Sequence, residues 1–226
     1  MAYTLYIGNK NYSSWSMRGW LIMKAAGVPF NEVKVPLTGT GYNPELRKYS
    51  PAGRVPCIHD EHVVVWDSLA IAEYMAERHS HLWPGDRVAR AWARSICAEM
   101  HSGFNALRDE MTCCLRERVD VRPWSAALTR DIERVKEIWR TTRNRFGAGE
   151  PFLFGGFTIA DAFYAPVAFR FRTYLVELDG VDDEYRNALL AHPWLREWDE
   201  AAARETEIIE LDEPRILYRD KLQARP

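Results

Sequence analysis

At about residue 80 the hydrophobic pattern of this chain changes character, and that change limits the folds open to it. Before it, short apolar runs alternate with helical stretches; beyond it, apolar residues keep a helical spacing almost throughout. Residues 4–8 read as a strand and 9–14 as a polar, turn-prone stretch. Residues 16–26 favour a helix, closed by Gly27 just before Val28-Pro29. Residues 30–35 alternate as a second strand, and two strands joined through one helix predict a parallel βαβ unit with a right-handed crossover. A loop rich in Gly, Asn and Pro spans 38–44, and a short helix lies near 45–49. Segments 57–59 and 63–66 flank Asp60-Glu61 as a hairpin, and a helix follows over 69–79.

This order, β-α-β-α-β-β-α, is a mixed sheet with helices on both sides, filling residues 1–80, a size usual for a small domain. Residues 81–86 form a linker carrying Pro84-Gly85, and 87–226 form an all-α domain, so the fold class is α+β. Trp92, Ile96, Met100, Leu107, Met111 and Leu115 predict one helix, which would carry Cys113-Cys114. Leu128, Ile132, Val135, Trp139, Thr142 and Phe146 predict a second, amphipathic one. Residues 160–169 are apolar nearly all round, as in a helix at the centre of a bundle. One more helix covers 193–206, and the tail from Ile208 reads as irregular.

The bulk properties exclude several partners. Thirty Lys and Arg against 32 Asp and Glu leave a net charge of -2, with no basic excess to neutralise a nucleic-acid backbone. No apolar run reaches membrane-spanning length, and the first residues lack the basic and apolar segments of a signal peptide. None of the four cysteines (57, 97, 113 and 114) forms a CxxC, which fits a reducing, cytoplasmic setting. His79 and His81 have no carboxylate or cysteine at a useful spacing, so no metal is expected.

Three junctions carry chemistry. Tyr12-Ser13-Ser14-Trp15-Ser16-Met17-Arg18 stands where the first strand gives way to the first helix. Free N–H groups there stabilise an anion, and a serine hydroxyl can donate to it or simply cap the helix. Val55-Pro56 precedes a strand; a cis proline there would turn the Val55 backbone outward, ready to pair with an extended peptide. At Trp66-Asp67-Ser68-Leu69-Ala70-Ile71, Asp67 can receive an ammonium, and Ser68 with the N–H groups behind it a carboxylate. Plain helix capping is the alternative.

In combination these motifs resemble the N-terminal, thioredoxin-like domain of the glutathione transferases, especially the serine-type zeta and theta-like bacterial forms. Phe157-Thr158-Ile159-Ala160-Asp161 resembles the capping box of their central helix. The resemblance implies a cytoplasmic homodimer that activates the thiol of glutathione, a co-substrate with no further cofactor, for addition to a small hydrophobic electrophile. It implies that Val55 beside cis-Pro56 pairs with the cysteinyl part of glutathione, and that Asp67 and Ser68 hold its γ-glutamyl end. Ser13 stands at the usual activating position with Ser14 beside it, Ser14 being the expected cap. Lys48 or Arg54 would receive the glycine carboxylate. Met100, His101, Phe104, Arg108, Phe169 and Arg172 are candidates for the acceptor pocket.

Two other functions remain open: cis–trans isomerisation of a maleyl-type diacid, for which Arg170 and Arg172 could supply cations, and a transferase fold kept for protein contacts. Trp15 stands where the zeta motif often has cysteine, which puts cysteine-based isomerisation in question. With no thiol in Ser13-Ser14-Trp15-Ser16, dithiol redox chemistry is excluded.

Overall fold

The computed structural model describes residues 3–39 and 43–224; of the loop expected over 38–44, residues 40–42 lie outside the described residues. Strand β1 (Tyr3–Ile7), helix α1 (Ser14–Ala26) and strand β2 (Phe30–Lys34) form the parallel unit, with Tyr3 opposite Phe30 and Ile7 opposite Lys34. Gly27 closes α1 in the left-handed region (φ 69°), its N–H returning to the Lys24 carbonyl at 3.0 Å. Strands β3 (Cys57–Asp60) and β4 (Val63–Trp66) are antiparallel, and the sheet order is β2-β1-β3-β4, with β3 running against β1. Helix α2 (Ser68–Arg78) follows. Between β2 and β3 the short helix is a 3-10 turn, Pro44–Lys48.

The remainder is helical. Helix α3 (Arg87–Ser102) is capped by Asp86, which accepts from the N–H groups of Val88 and Ala89 at 2.9 and 2.8 Å. The single helix expected over 92–115 is broken. Phe104 takes a left-handed φ of 60°, helix α4 is short (Asn105–Glu110), and no helix is formed from 111 to 125. The apolar period runs through the break because Leu107, Met111 and Leu115 are all buried in the core regardless of their backbone. Cys113 and Cys114 therefore lie in non-helical chain, as buried free thiols that burial pushes up to about 11 and about 12.

Helix α5 (Ala126–Phe146) packs α4 and α7 (Gly180–Ala191), an element not read from the sequence. Helix α6 (Ile159–Thr173) runs through the middle against α1, α3 and α7, and is buried along nearly its whole length. Its capping box is complete: one Asp161 oxygen accepts from the N–H and hydroxyl of Thr158 at 2.8 and 3.0 Å. The other accepts from the Leu153 N–H at 3.1 Å and the Tyr185 hydroxyl at 2.9 Å. Burial pushes this carboxyl up to about 6, and the four hydrogen bonds hold it from rising further.

After α8 (Pro193–Ala203) the tail, expected to be irregular, makes short helical turns at Glu210–Asp212, Pro214–Leu217 and Arg219–Gln223. This segment crosses back to the sheet unit. The Glu205 carboxylate accepts from the N–H groups of Lys10 and Asn11 at 2.9 and 3.0 Å, and Lys34 pairs with Glu207 at 2.7 Å. Further along, Tyr12 donates to the Glu213 carboxylate, and Arg116 reaches the Tyr12 hydroxyl at 2.9 Å. Among the described residues no helix is long and apolar enough to cross a membrane.

Candidate active site

A cleft of about 460 Å³ opens between the sheet unit and the helical region. Ser13, Ser14 and Trp15 at the start of α1, together with Arg54 and Val55, form one wall; Arg108, Thr112, Cys113, Arg170 and Asp212 form the other.

The serines take different places from those expected. Ser13, not Ser14, is the N-cap: its hydroxyl oxygen accepts from the Ser16 N–H at 3.1 Å. That hydroxyl also donates to the Ser16 hydroxyl oxygen at 2.7 Å, which in turn accepts from the Gly8 N–H at 2.9 Å. The Ser14 side chain lines the cleft and has no hydrogen-bond partner among the described residues.

The Val55–Pro56 peptide bond is cis, and Val55 lines the cleft with neither its N–H nor its carbonyl bonded among the described residues. Of the two candidate cations, Arg54 lines the cleft. Lys48 does not; it is exposed and paired with Glu45 one turn earlier, where a 3-10 turn aligns positions three apart. Asp67 caps α2, accepting from the Leu69 N–H at 2.8 Å, and its second oxygen lies 3.3 Å from His101 Nε2. The His101 ring meets Trp15 edge-on at 5.3 Å, so one imidazole links Asp67 to the cleft wall. The Ser68 hydroxyl is buried and unpartnered among the described residues.

Of the four principal acceptor-pocket candidates, Arg108 lines the cleft. Met100, Phe104 and Phe169 do not: they are buried in the core, where helical spacing would place apolar side chains of a bundle. Arg172 is held elsewhere, by a bidentate pair with Asp199. The residues missed are Trp15, Thr112, Cys113 and Asp212. All but Trp15 lie in chain without long helices, where apolar spacing does not tell which side chain faces a cleft.

The wall around Trp15 is rich in positive charge. Arg18 is wholly buried, stacked 4.5 Å from the Trp15 ring and 4.8 Å from Phe163, and Arg108 lies 4.8 Å over Trp15. Arg108 donates to the carbonyls of Met100 and Gly103 at the end of α3, and Arg170 to that of Met111 at 2.6 Å. None of the three arginines has a carboxylate within ion-pair distance among the described residues. Burial, and then the neighbouring cations, lower Arg18 to about 9 and Arg108 to about 10.

Residues 12–78 match the glutathione S-transferase N-terminal domain and residues 125–201 the glutathione S-transferase C-terminal domain. The chain belongs to the glutathione S-transferase family. Maleylacetoacetate isomerase of Rattus norvegicus is 26% identical over 180 residues, 77% of this chain and 80% of the relative. A probable maleylacetoacetate isomerase of Caenorhabditis elegans is 33% identical over 107 residues, 46% of this chain and 49% of the relative. Among solved structures, a Burkholderia glutathione transferase homologue with bound glutathione superposes with a TM-score of 0.68 at 23% identity. It covers 90% of this chain and 99% of its own. A theta class enzyme of Xanthomonas axonopodis pv. citri with glutathione bound has a TM-score of 0.61 at 21% identity, covering 92% and 99%. These two share the fold, a thioredoxin-like unit followed by helices.

Proposed function

We propose that this chain is a glutathione-dependent enzyme of the serine type, which directs the glutathione thiolate at a small electrophile carrying a carboxylate. The observation that carries the reading is the placement of Ser14 in one cleft with Arg108 and Arg170. A free hydroxyl at a helix N-terminus lies in the same cleft as two guanidinium groups that have no carboxylate partner of their own. A thiol of pKa about 8.5 is mostly protonated at neutral pH, and lowering it by about two units requires nearly 3 kcal/mol. A hydroxyl hydrogen bond and the start of α1 together supply that order of energy. In this reading the free Val55 N–H and carbonyl take the cysteinyl part of glutathione, Asp67 and Ser68 its γ-glutamyl end, and Arg54 its glycine carboxylate.

The arginines move the acceptor away from the purely hydrophobic compound expected from sequence. Buried cations without counter-ions are costly, and an anionic substrate relieves that cost on binding. The isomerase relatives, named for a maleyl compound, support a second reading in which addition is followed by rotation and loss of the thiolate. Both readings use the same groups, in a cytoplasmic homodimer.

Calorimetry with glutathione, followed by turnover of paired electrophiles that differ only in a carboxylate or its methyl ester, tests the proposal. Binding of glutathione and preference for the acid are expected. Absence of glutathione binding, or preference for the ester, refutes it.

A further inference from the structure

We infer that Asp212 delivers the proton that completes addition of the thiolate to an electron-poor carbon–carbon double bond, and so decides whether the adduct leaves as a conjugate or falls back as an isomerised alkene. This rests on the glutathione reading given above and adds to it the class of acceptor and the residue that controls the outcome.

Asp212 is the only carboxylate among the described residues that line the cleft. Its backbone is fixed: the Thr112 hydroxyl donates to its carbonyl at 2.8 Å, and the neighbouring Glu213 is held by Tyr12 and Arg116. Its carboxyl, by contrast, has neither a hydrogen bond nor an ion pair among the described residues. A carboxyl so placed is free to meet a substrate, whereas Glu213 is fully engaged.

The charged and titratable groups around it are Arg170 on α6, Arg108 on α4, Arg54 on the opposite wall, Cys113, Tyr12 and Glu213. Burial raises Asp212 to about 6, with Arg170 opposing and Glu213 adding. Burial also keeps Cys113 a thiol up to about 11 and Tyr12 a phenol up to about 12, while Arg108, lowered to about 10, stays charged. Of Asp212, Cys113 and Tyr12, Asp212 alone changes protonation near neutrality.

The thiolate sulfur bonds to the β-carbon of the alkene, and the π pair moves to the α-carbon and its carbonyl. The α-carbon takes the proton of the Asp212 carboxyl, leaving a carboxylate. Asp212 is recharged by the proton that the next glutathione thiol releases. If Asp212 is ionised instead, the carbanion keeps its charge, rotates and expels the thiolate, giving back glutathione and the trans alkene.

cis-Acetylacrylate, an unsaturated keto acid, reports both outcomes in one reaction. Proton NMR measures the ratio of glutathione conjugate to trans alkene, corrected for the reaction without enzyme. For the wild-type chain the ratio should fall as pH is raised through about 6. In Asp212→Asn it should be lower by at least about tenfold and flat with pH, and Asp212→Glu should recover part of it. The thermal midpoint of each variant is measured alongside, since the backbone carbonyl that holds Thr112 is retained in all. A wild-type ratio in folded Asp212→Asn, or equal loss of both products in it, overturns the assignment to Asp212. A wild-type chain that makes neither product with glutathione overturns the parent reading, and the role of Asp212 with it.

Discussion

The Ser13 hydroxyl donates to the Ser16 hydroxyl at 2.7 Å and accepts from the Ser16 N–H at 3.1 Å, so its proton and a lone pair are both spent inside the first turn of α1. Ser14 is left as the hydroxyl able to donate into the cleft. Ser14→Ala should raise the titration of the bound glutathione thiol and reduce turnover at neutral pH, with recovery as pH rises. Ser13→Ala should mainly remove a cap, costing about 0.5–2 kcal/mol. Ultraviolet absorbance of the thiolate against pH separates them. A shift in Ser13→Ala with none in Ser14→Ala would return the activating role to Ser13.

Arg108→Met and Arg170→Met should each lower kcat/KM for a carboxylated electrophile by about ten- to a hundredfold, the loss of one charge-assisted hydrogen bond. The methyl ester should be affected much less. Steady-state kinetics on the acid and ester pair gives the comparison, and equal losses on both would mean that the arginines only shape the wall.

Four donors converge on the buried Asp161 carboxylate. Asp161→Ala leaves all four without that acceptor and should cost about 3 kcal/mol or more. At about 2–4 °C per kcal/mol for a chain of this size, the thermal midpoint should drop by about 6 °C or more. Thr158→Ala should cost less, and glutathione affinity should persist in whatever folds. An unchanged midpoint in Asp161→Ala, read by calorimetry, would contradict this.

His101 is held below its ordinary value by burial first and by Arg18 and Arg108 next, with Asp67 opposing. Its folded-state pKa is thus depressed relative to the unfolded chain. The stability it contributes is present above about 6.5 and is lost as pH falls below that. Thermal midpoints measured between neutral and mildly acid pH should fall more steeply for the wild-type chain than for His101→Gln. Parallel curves would show that the ring titrates freely.

The sheet unit was legible because its signals are local: Gly27 closing α1, alternating residues in β2, Val-Pro ahead of β3. The helix starts at Ser13 and Asp67 were legible as places, since such a start announces itself by its serine or aspartate. Which serine caps was not, because Ser13 and Ser14 are chemically identical and only the Ser16 contact distinguishes them. Of the acceptor-side candidates, Arg108 lines the cleft and Met100, Phe104 and Phe169 lie in the core, because a residue in a bundle shows its helical period but not which side faces a cleft. Asp212 could not be found, being brought to the site by a returning segment whose contacts are distant in sequence.

The Glu205 carboxylate that fixes the Lys10 N–H lies 195 positions further along the chain. During synthesis, therefore, the sheet unit leaves the ribosome before the acceptor of the Lys10 and Asn11 N–H groups in its serine loop has been made. That loop takes its final shape only after the helices have emerged and the 205–213 segment has crossed back over it. The loop ahead of Ser13 is thus finished by residues 205–213 and not by the unit that carries the serines.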